Sequence, residues 1–127
     1  MNRCVLIALA AALAAPLAGQ AQQLPRAFPP DALRGDLVVA APPEATMDGR
    51  PVRLAPGVRI RGENNLLVLS GTVVNQRLTV NYTIDGFGLV KDVWVLRPEE
   101  AAKPWPRSAE EASRMVFDAL NQTWSWR

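Results

Sequence analysis

The sequence predicts a mainly β fold: a small closed or partly open barrel of five to six strands, followed by one C-terminal amphipathic helix. Three observations predict it. Arg77 to Arg97, RLTVNYTIDGFGLVKDVWVLR, has the layout of a long hairpin. Upstream of it, short apolar runs are separated by glycine, proline and asparagine at close spacing, as in all-β domains. Helical spacing enters only after residue 107, behind a capping-box motif.

The hairpin is the clearest element. Leu78, Val80, Tyr82 and Ile84 alternate with Arg77, Thr79, Asn81 and Thr83, the period of a strand with one buried and one wet face. Asp85-Gly86-Phe87-Gly88 supplies residues that tolerate a reversal. Leu89 to Leu96 is apolar on both sides apart from Lys91 and Asp92, so it suits a more central strand. Val80, Tyr82 and Trp94 are therefore expected in one core.

Before the barrel, residues 22–31 are proline-rich and without period, and read as an extended arm. Leu37-Val38-Val39 marks the first strand, and Pro42-Pro43 ends it. Ala45 to Leu54 is a second hairpin, turning at Asp48-Gly49, a dipeptide suited to a two-residue type I′ turn. Pro51 lacks an N–H, so its strand is expected to lie on an edge there or to be interrupted by a bulge. Pro56-Gly57 predicts another turn, Val58 to Arg61 another strand, and Leu66 to Leu69 a short one. Asn75 leads into the central hairpin as a residue that enters the left-handed region readily. The barrel thus spans residues 32–97.

Residues 98–107 read as a linker, with Trp105 stiffened between Pro104 and Pro106. Ser108-Ala-Glu-Glu follows as the capping box, with Glu111 placed to reach back. Ala112, Met115, Val116, Ala119 and Leu120 then fall at helical spacing, predicting a helix from Ala109 to about Leu120 within the segment 108–127.

The N-terminus predicts export. Arg3 precedes the apolar run Val5 to Leu17, and Gly19 and Ala21 are small residues where a signal peptidase reads. Residues 1–21 are expected to be cleaved, which places the protein in the periplasm with no membrane span. Cys4 stands before the apolar run and not after it, so no lipidation site is expected, and the mature chain keeps no cysteine. The sequence has 14 basic and 12 acidic side chains and no histidine. Losing Arg3 leaves the mature chain almost neutral, so bulk charge gives no case for nucleic acid or anionic membrane.

Laid out this way, the chain resembles small exported β-barrel domains with an OB-like topology. The likeness rests on TVVNQRLTVNYTIDGFGLVKDVWVL, where Asn75 stands at a turn position usually held by glycine. More narrowly, RIRGENNLLVLSG, QRLTVNYTID, GLVKDVWVLRPEE and KPWPRSAEEA are similar to segments of a group of small exported proteins of Gram-negative bacteria. That resemblance spans about Ala32 to Trp124. It implies fold and export, and no activity.

Chemistry-bearing residues are few. Arg50, Arg53, Arg59, Arg61 and Arg77 form either a basic face beside Tyr82 and Phe87, as in a barrel gripping a single strand, or simply the wet sides of alternating strands. The four tryptophans are core anchors or a groove lining, and Trp105 is the best placed of them for a partner surface. Glu99/Glu100 and Glu110/Glu111 are sequence neighbours and do not face one another, so they make poor acid–base pairs. Asp85, Asp92 and Glu63 lack calcium-loop spacing. Without histidine, a serine nucleophile has no motif to activate it. The expectation is a non-enzymatic periplasmic interaction module with no cofactor or metal. It would bind an envelope protein, peptide or polymer through a barrel face or the Trp105 segment, with Trp105, Arg59, Arg61, Arg77 and Phe87 as candidate contacts. The alternative is an OB-like binder of a small ligand or oligonucleotide.

Overall fold

The computed structural model describes residues 23–127. The expected signal peptide, residues 1–21, and the expected first mature residue, Gln22, lie outside them.

The fold is mainly β. Six strands form one sheet: β1 (Leu33–Ala41), β2 (Glu44–Met47), β3 (Arg50–Arg61), β4 (Leu67–Val68), β5 (Arg77–Ile84) and β6 (Val90–Val95). The sheet order is β2-β1-β5-β6-β3-β4, and β2 also pairs with β3, so the hydrogen bonding of five strands returns to its start. β3 and β6 run parallel; the other pairs are antiparallel. β4 lies outside the ring, bonded to the far end of β3.

Local chemistry accounts for most turns. Asp48 and Gly49 take φ of 52° and 79°, as the type I′ turn between β2 and β3 requires. Pro51 pairs only with Thr46 of β2, because β3 meets β6 from Leu54 onward; the missing N–H falls on an edge. Asn75 has φ of 62° ahead of β5. Pro56-Gly57, expected as a turn between two strands, instead forms an irregularity inside the single strand β3. The β3–β6 register shifts between Leu54 and Arg59, with Gly57 at φ 75°. A bulge of this kind bends a strand without ending it.

The ring encloses one apolar core of Leu37, Val39, Ala45, Met47, Leu54, Ile60, Val80, Tyr82, Val90 and Val93. Gly35 is needed there: a Cβ on it would stand 2.5 Å from Met47 Sδ and 3.1 Å from Tyr82 Cε1. Trp94, expected in this core beside Val80 and Tyr82, is not in it. It is half-buried on the outer face, its ring centroid 5.7 Å from Phe28. It stands opposite Asn81 while its neighbour Val93 stands opposite Tyr82 and faces in, and the irregularity between Thr83 and Ile84 turns Val90 to the inward side as well.

Phe28 belongs to a second core, with Ala32, Leu96, Trp105, Met115 and Trp124. This cluster covers the outer face of β1, β5 and β6. The expected wet side of β5 is therefore partly dry: Asn81 and Thr83 are buried. The expected linker 98–107 is structured, with a short helix α1 (Pro98–Ala101) and Trp105 inside the second core.

The C-terminal helix expected over Ala109–Leu120 does not form beyond its first turn. α2 spans Ala109–Ser113, capped as expected by Ser108, whose Oγ accepts from Glu111 N at 3.1 Å. A two-stranded sheet follows, β7 (Met115–Asp118) against β8 (Thr123–Trp126). The apolar spacing admits both readings. Met115 and Phe117 alternate with Val116 and Asp118, and this period of two delivers Met115 and Phe117 to Trp105 and Trp124. Asp118 closes the turn by accepting from Leu120 N and Asn121 N. Leu120, expected on the buried stripe, is 91% exposed.

Trp105 is the centre of the second core, so Trp105→Ala is expected to lower stability by about 3–5 kcal/mol in urea unfolding, as large core deletions do. A loss below about 1 kcal/mol would mean that this cluster does not hold the segment down.

Candidate functional site

Burial decides first which predicted residues are available. Trp105 is not: it is 6% exposed, its Nε1 donates to Ala32 O at 2.8 Å, and its ring meets Phe28, Phe117 and Trp124 edge-on. The two flanking prolines stiffen a core anchor, which corrects the expectation of a partner surface there. Nor do the arginines gather into one face. Arg59 and Arg61 share the outer face of β3, opposite Asp92 and Trp94 of β6. Arg61 is partly buried, 3.6 Å from Asp92 Oδ1 and 5.5 Å from the centre of the Trp94 ring. Arg77 is elsewhere. Thr83, not Arg77, stands opposite Asp92, and Arg77 lies six positions back along β5, roughly 20 Å at the rise of a strand. It pairs with Asp36 at 3.1 Å.

Phe87 is the candidate contact the structure leaves most open, at 90% exposure. It stands on a turn with little freedom. Asp85 Oδ1 accepts from Phe87 N at 2.8 Å and from Leu89 N at 3.0 Å, while Asp85 N donates to Leu89 O at 2.9 Å. Gly88 supplies the left-handed residue, with φ of 79°. Half-exposed Ile84 starts the same turn.

Two residues beyond Phe87, Leu89 lines an open hollow of about 390 Å³ together with Pro43, Arg53, Leu54, Ala55 and Pro56. Three elements converge there: the β1–β2 turn, the β3 bulge and the β5–β6 turn. Arg53 carries the near cation, 3.3 Å from Glu44. Arg59 is exposed further along β3 and makes no ion pair among the described residues. The sequence signalled Pro42-Pro43 and Pro56-Gly57 only as strand breakers. Their convergence with Phe87 depends on ring closure, which no local pattern encodes.

A second hollow, of about 220 Å³, lies between the N-terminal arm, α1 and Trp105. Three of its charged groups, Arg26, Glu100 and Arg97, are already engaged, while Glu99 and Lys103 stand exposed at its rim. Arg26 donates from Nε to Glu100 Oε2 at 3.0 Å and from Nη1 to Gly62 O at 2.9 Å. Arg97 donates to Glu63 O at 2.7 Å and to Leu24 O at 3.0 Å. These bonds tie the arm to the ring and leave little for a ligand, so the Phe87 hollow is the better candidate.

Among the described residues no group of three His, Cys, Asp or Glu could hold a metal ion, and no helix is long and apolar enough to cross a membrane. No family model, curated protein or solved structure matches the chain.

Glu100 gives the arm a pH dependence. Burial pushes its carboxyl up, but the Arg26 hydrogen bond, the Arg97 backbone N–H and the charges of both arginines outweigh it, and the net shift is below the ordinary 4.5. A lowered folded-state pKa adds stability above the unfolded value and loses it as pH falls through the folded one. Acid unfolding should therefore bring a stability loss below pH 4.5 that Glu100→Gln lacks, the variant being less stable at neutral pH. Parallel pH profiles for the two proteins would remove this role.

Proposed function

We propose that this chain is a non-enzymatic binding module working in the periplasm, built as an OB-type barrel, that holds an envelope protein or peptide at the Phe87 end of the ring. Export rests on the n-region, apolar run and small-residue pair of residues 1–21. The strand arrangement supports the OB-type reading. β5, β1, β2 and β3 lie side by side and antiparallel: three successive strands, and one returning by a long connection to lie beside the first, as in a Greek key. With β4 set aside, β6 completes a five-stranded ring. Folds of that type bind across the second and third strands and the loops joining strands one to two and four to five. Pro43 and Leu89 stand in the corresponding loops, and Arg53 to Pro56 in the third strand.

One observation carries the reading: an aromatic ring 90% exposed on a turn fixed by its own hydrogen bonds. A backbone fixed in advance loses little freedom on binding, and aromatic anchors dominate interface energies. The absence of histidine from the sequence fits a binder better than a hydrolase.

Exposed Arg59 and Arg53 on the same strand favour a second reading, an oligonucleotide lying across β3. Capture from envelope extract separates the two. Phe87→Ala is expected to weaken retention of the enriched partner roughly 10- to 30-fold, with the unfolding midpoint unmoved, while Arg59→Gln keeps it. Salt-sensitive binding to an oligothymidylate, lost with Arg59→Gln and kept with Phe87→Ala, would put the second reading first.

A further inference from the structure

One polar group of the inner core finds no hydrogen-bond partner among the described residues: the hydroxyl of Tyr82. The residue is only 7% exposed, and its ring lies against Gly35 of β1, where a Cβ would crowd it. The hydroxyl is not sealed in, as the orphan nitrogens of Asn81 and Trp124 are. Tyr82 lines an open hollow of about 450 Å³, to which the β2–β3 turn brings Asp48 and Arg50, and the stretch before α2 brings Arg107 and Ser108. Topology makes these elements meet. β2 pairs with β1 only from Leu37 onward, and ahead of that point Arg34 N bonds Pro106 O.

The polar groups of the hollow are mostly donors. Arg50 is exposed and makes no ion pair among the described residues. Arg107 uses Nη1 on Asp48 Oδ1 at 2.9 Å, which leaves it Nη2 and Nε. Ser108 Oγ accepts from Glu111 N, so its own hydrogen is free to donate. Burial, then the charge of Asp48, pushes the Tyr82 hydroxyl above its ordinary 10.0, so it keeps its proton at neutral pH. Two arginines against one aspartate leave a single positive charge, which a monoanion balances and a dianion exceeds. Beside these groups, Pro51 and Val52 give the hollow an apolar flank.

We propose that this hollow binds a carboxylate carried on a short apolar body. The carboxylate oxygens accept from Arg50, Arg107 and Tyr82, and the apolar part lies along Pro51 and Val52. Such a group occurs as a free monocarboxylic acid and as the C-terminus of a polypeptide ending in an apolar residue. The site shares no lining residue with the hollow at Leu89, so it stands or falls apart from the Phe87 reading.

Titrations of the protein as recovered from cells, followed by backbone amide chemical shifts, test this. The probes are hexanoate for the free acid, N-acetylleucine for the chain terminus and N-acetylleucine amide as its neutral control. Saturable shifts are expected at Asp48, Arg50 and Ser108, and the tighter carboxylate tells which source the site serves. The amide is expected to bind about tenfold more weakly than the acid, or worse. Arg50→Gln, an exposed change, and Tyr82→Phe, which removes one oxygen, are each expected to weaken the tighter carboxylate about tenfold. Should Tyr82→Phe fail to fold, Arg50→Gln still decides. Shifts that never saturate, an amide bound as tightly as the acid, inorganic phosphate bound more tightly than either carboxylate, or an affinity indifferent to Arg50→Gln would each overturn the proposal.

Discussion

The guanidinium of Arg34 is the constraint on which the rest of the structure depends. A buried cation is tolerated only when its donors are satisfied. Here Nε donates to Asn81 Oδ1 at 2.9 Å, and Nη1 to the carbonyls of Lys103 and Ala101 at 3.0 and 3.2 Å, with Glu100 O 3.3 Å from Nη2. Burial, then repulsion from Arg107, brings its pKa down to about 10, so it stays charged at neutral pH. The carbonyls at the end of α1 are satisfied by a side chain from β1, as helix C-termini require. Arg34 N adds a bond to Pro106 O at 2.8 Å, and Trp105 Nε1 bonds Ala32 O. The start of β1 thereby holds the whole segment 98–127.

That tie changes what the sheet can do. In a small ring with one wet outer face, Asn81 and Thr83 would meet solvent and Trp94 would invite a ligand. The docked segment closes this face, and Phe28 from the arm completes the cover. Exposed apolar side chains are left at the two ends of β6, where Phe87 stands on one turn and the leucines of β4 on the other edge.

The inner core was legible because its signals are local. Asp48-Gly49, Asn75, the Asp85 turn and the alternation of Leu78, Val80 and Tyr82 each specify one conformation over a few residues. Ser108 caps its helix as its motif implied, while among the described residues Glu111 does not reach back to complete the box. What could not be read depends on long-range packing. Met115, Val116, Ala119 and Leu120 satisfy a helical stripe as well as Met115 and Phe117 satisfy a strand, and the tertiary contact with Trp105 decides between them. Arg34 is an ordinary wet-face residue until α1 places three carbonyls around it. Pro56-Gly57 breaks a strand in isolation but bulges one that is held on both sides. Phe87 was named as a candidate, but the apolar hollow that gives it meaning exists only once the β1–β2 turn and the β3 bulge come together.

The central claim is that the ring and the segment after Pro98 form one cooperative unit joined through Arg34 and Trp105. Native-state hydrogen exchange tests it most directly, because it reads the opening free energy of each element separately. The β7 and β8 amides are expected to exchange with the same free energy and denaturant dependence as those of β1 and β5. Exchange of β7 and β8 at nearly free-chain rates, with β1 and β5 still protected, would contradict it.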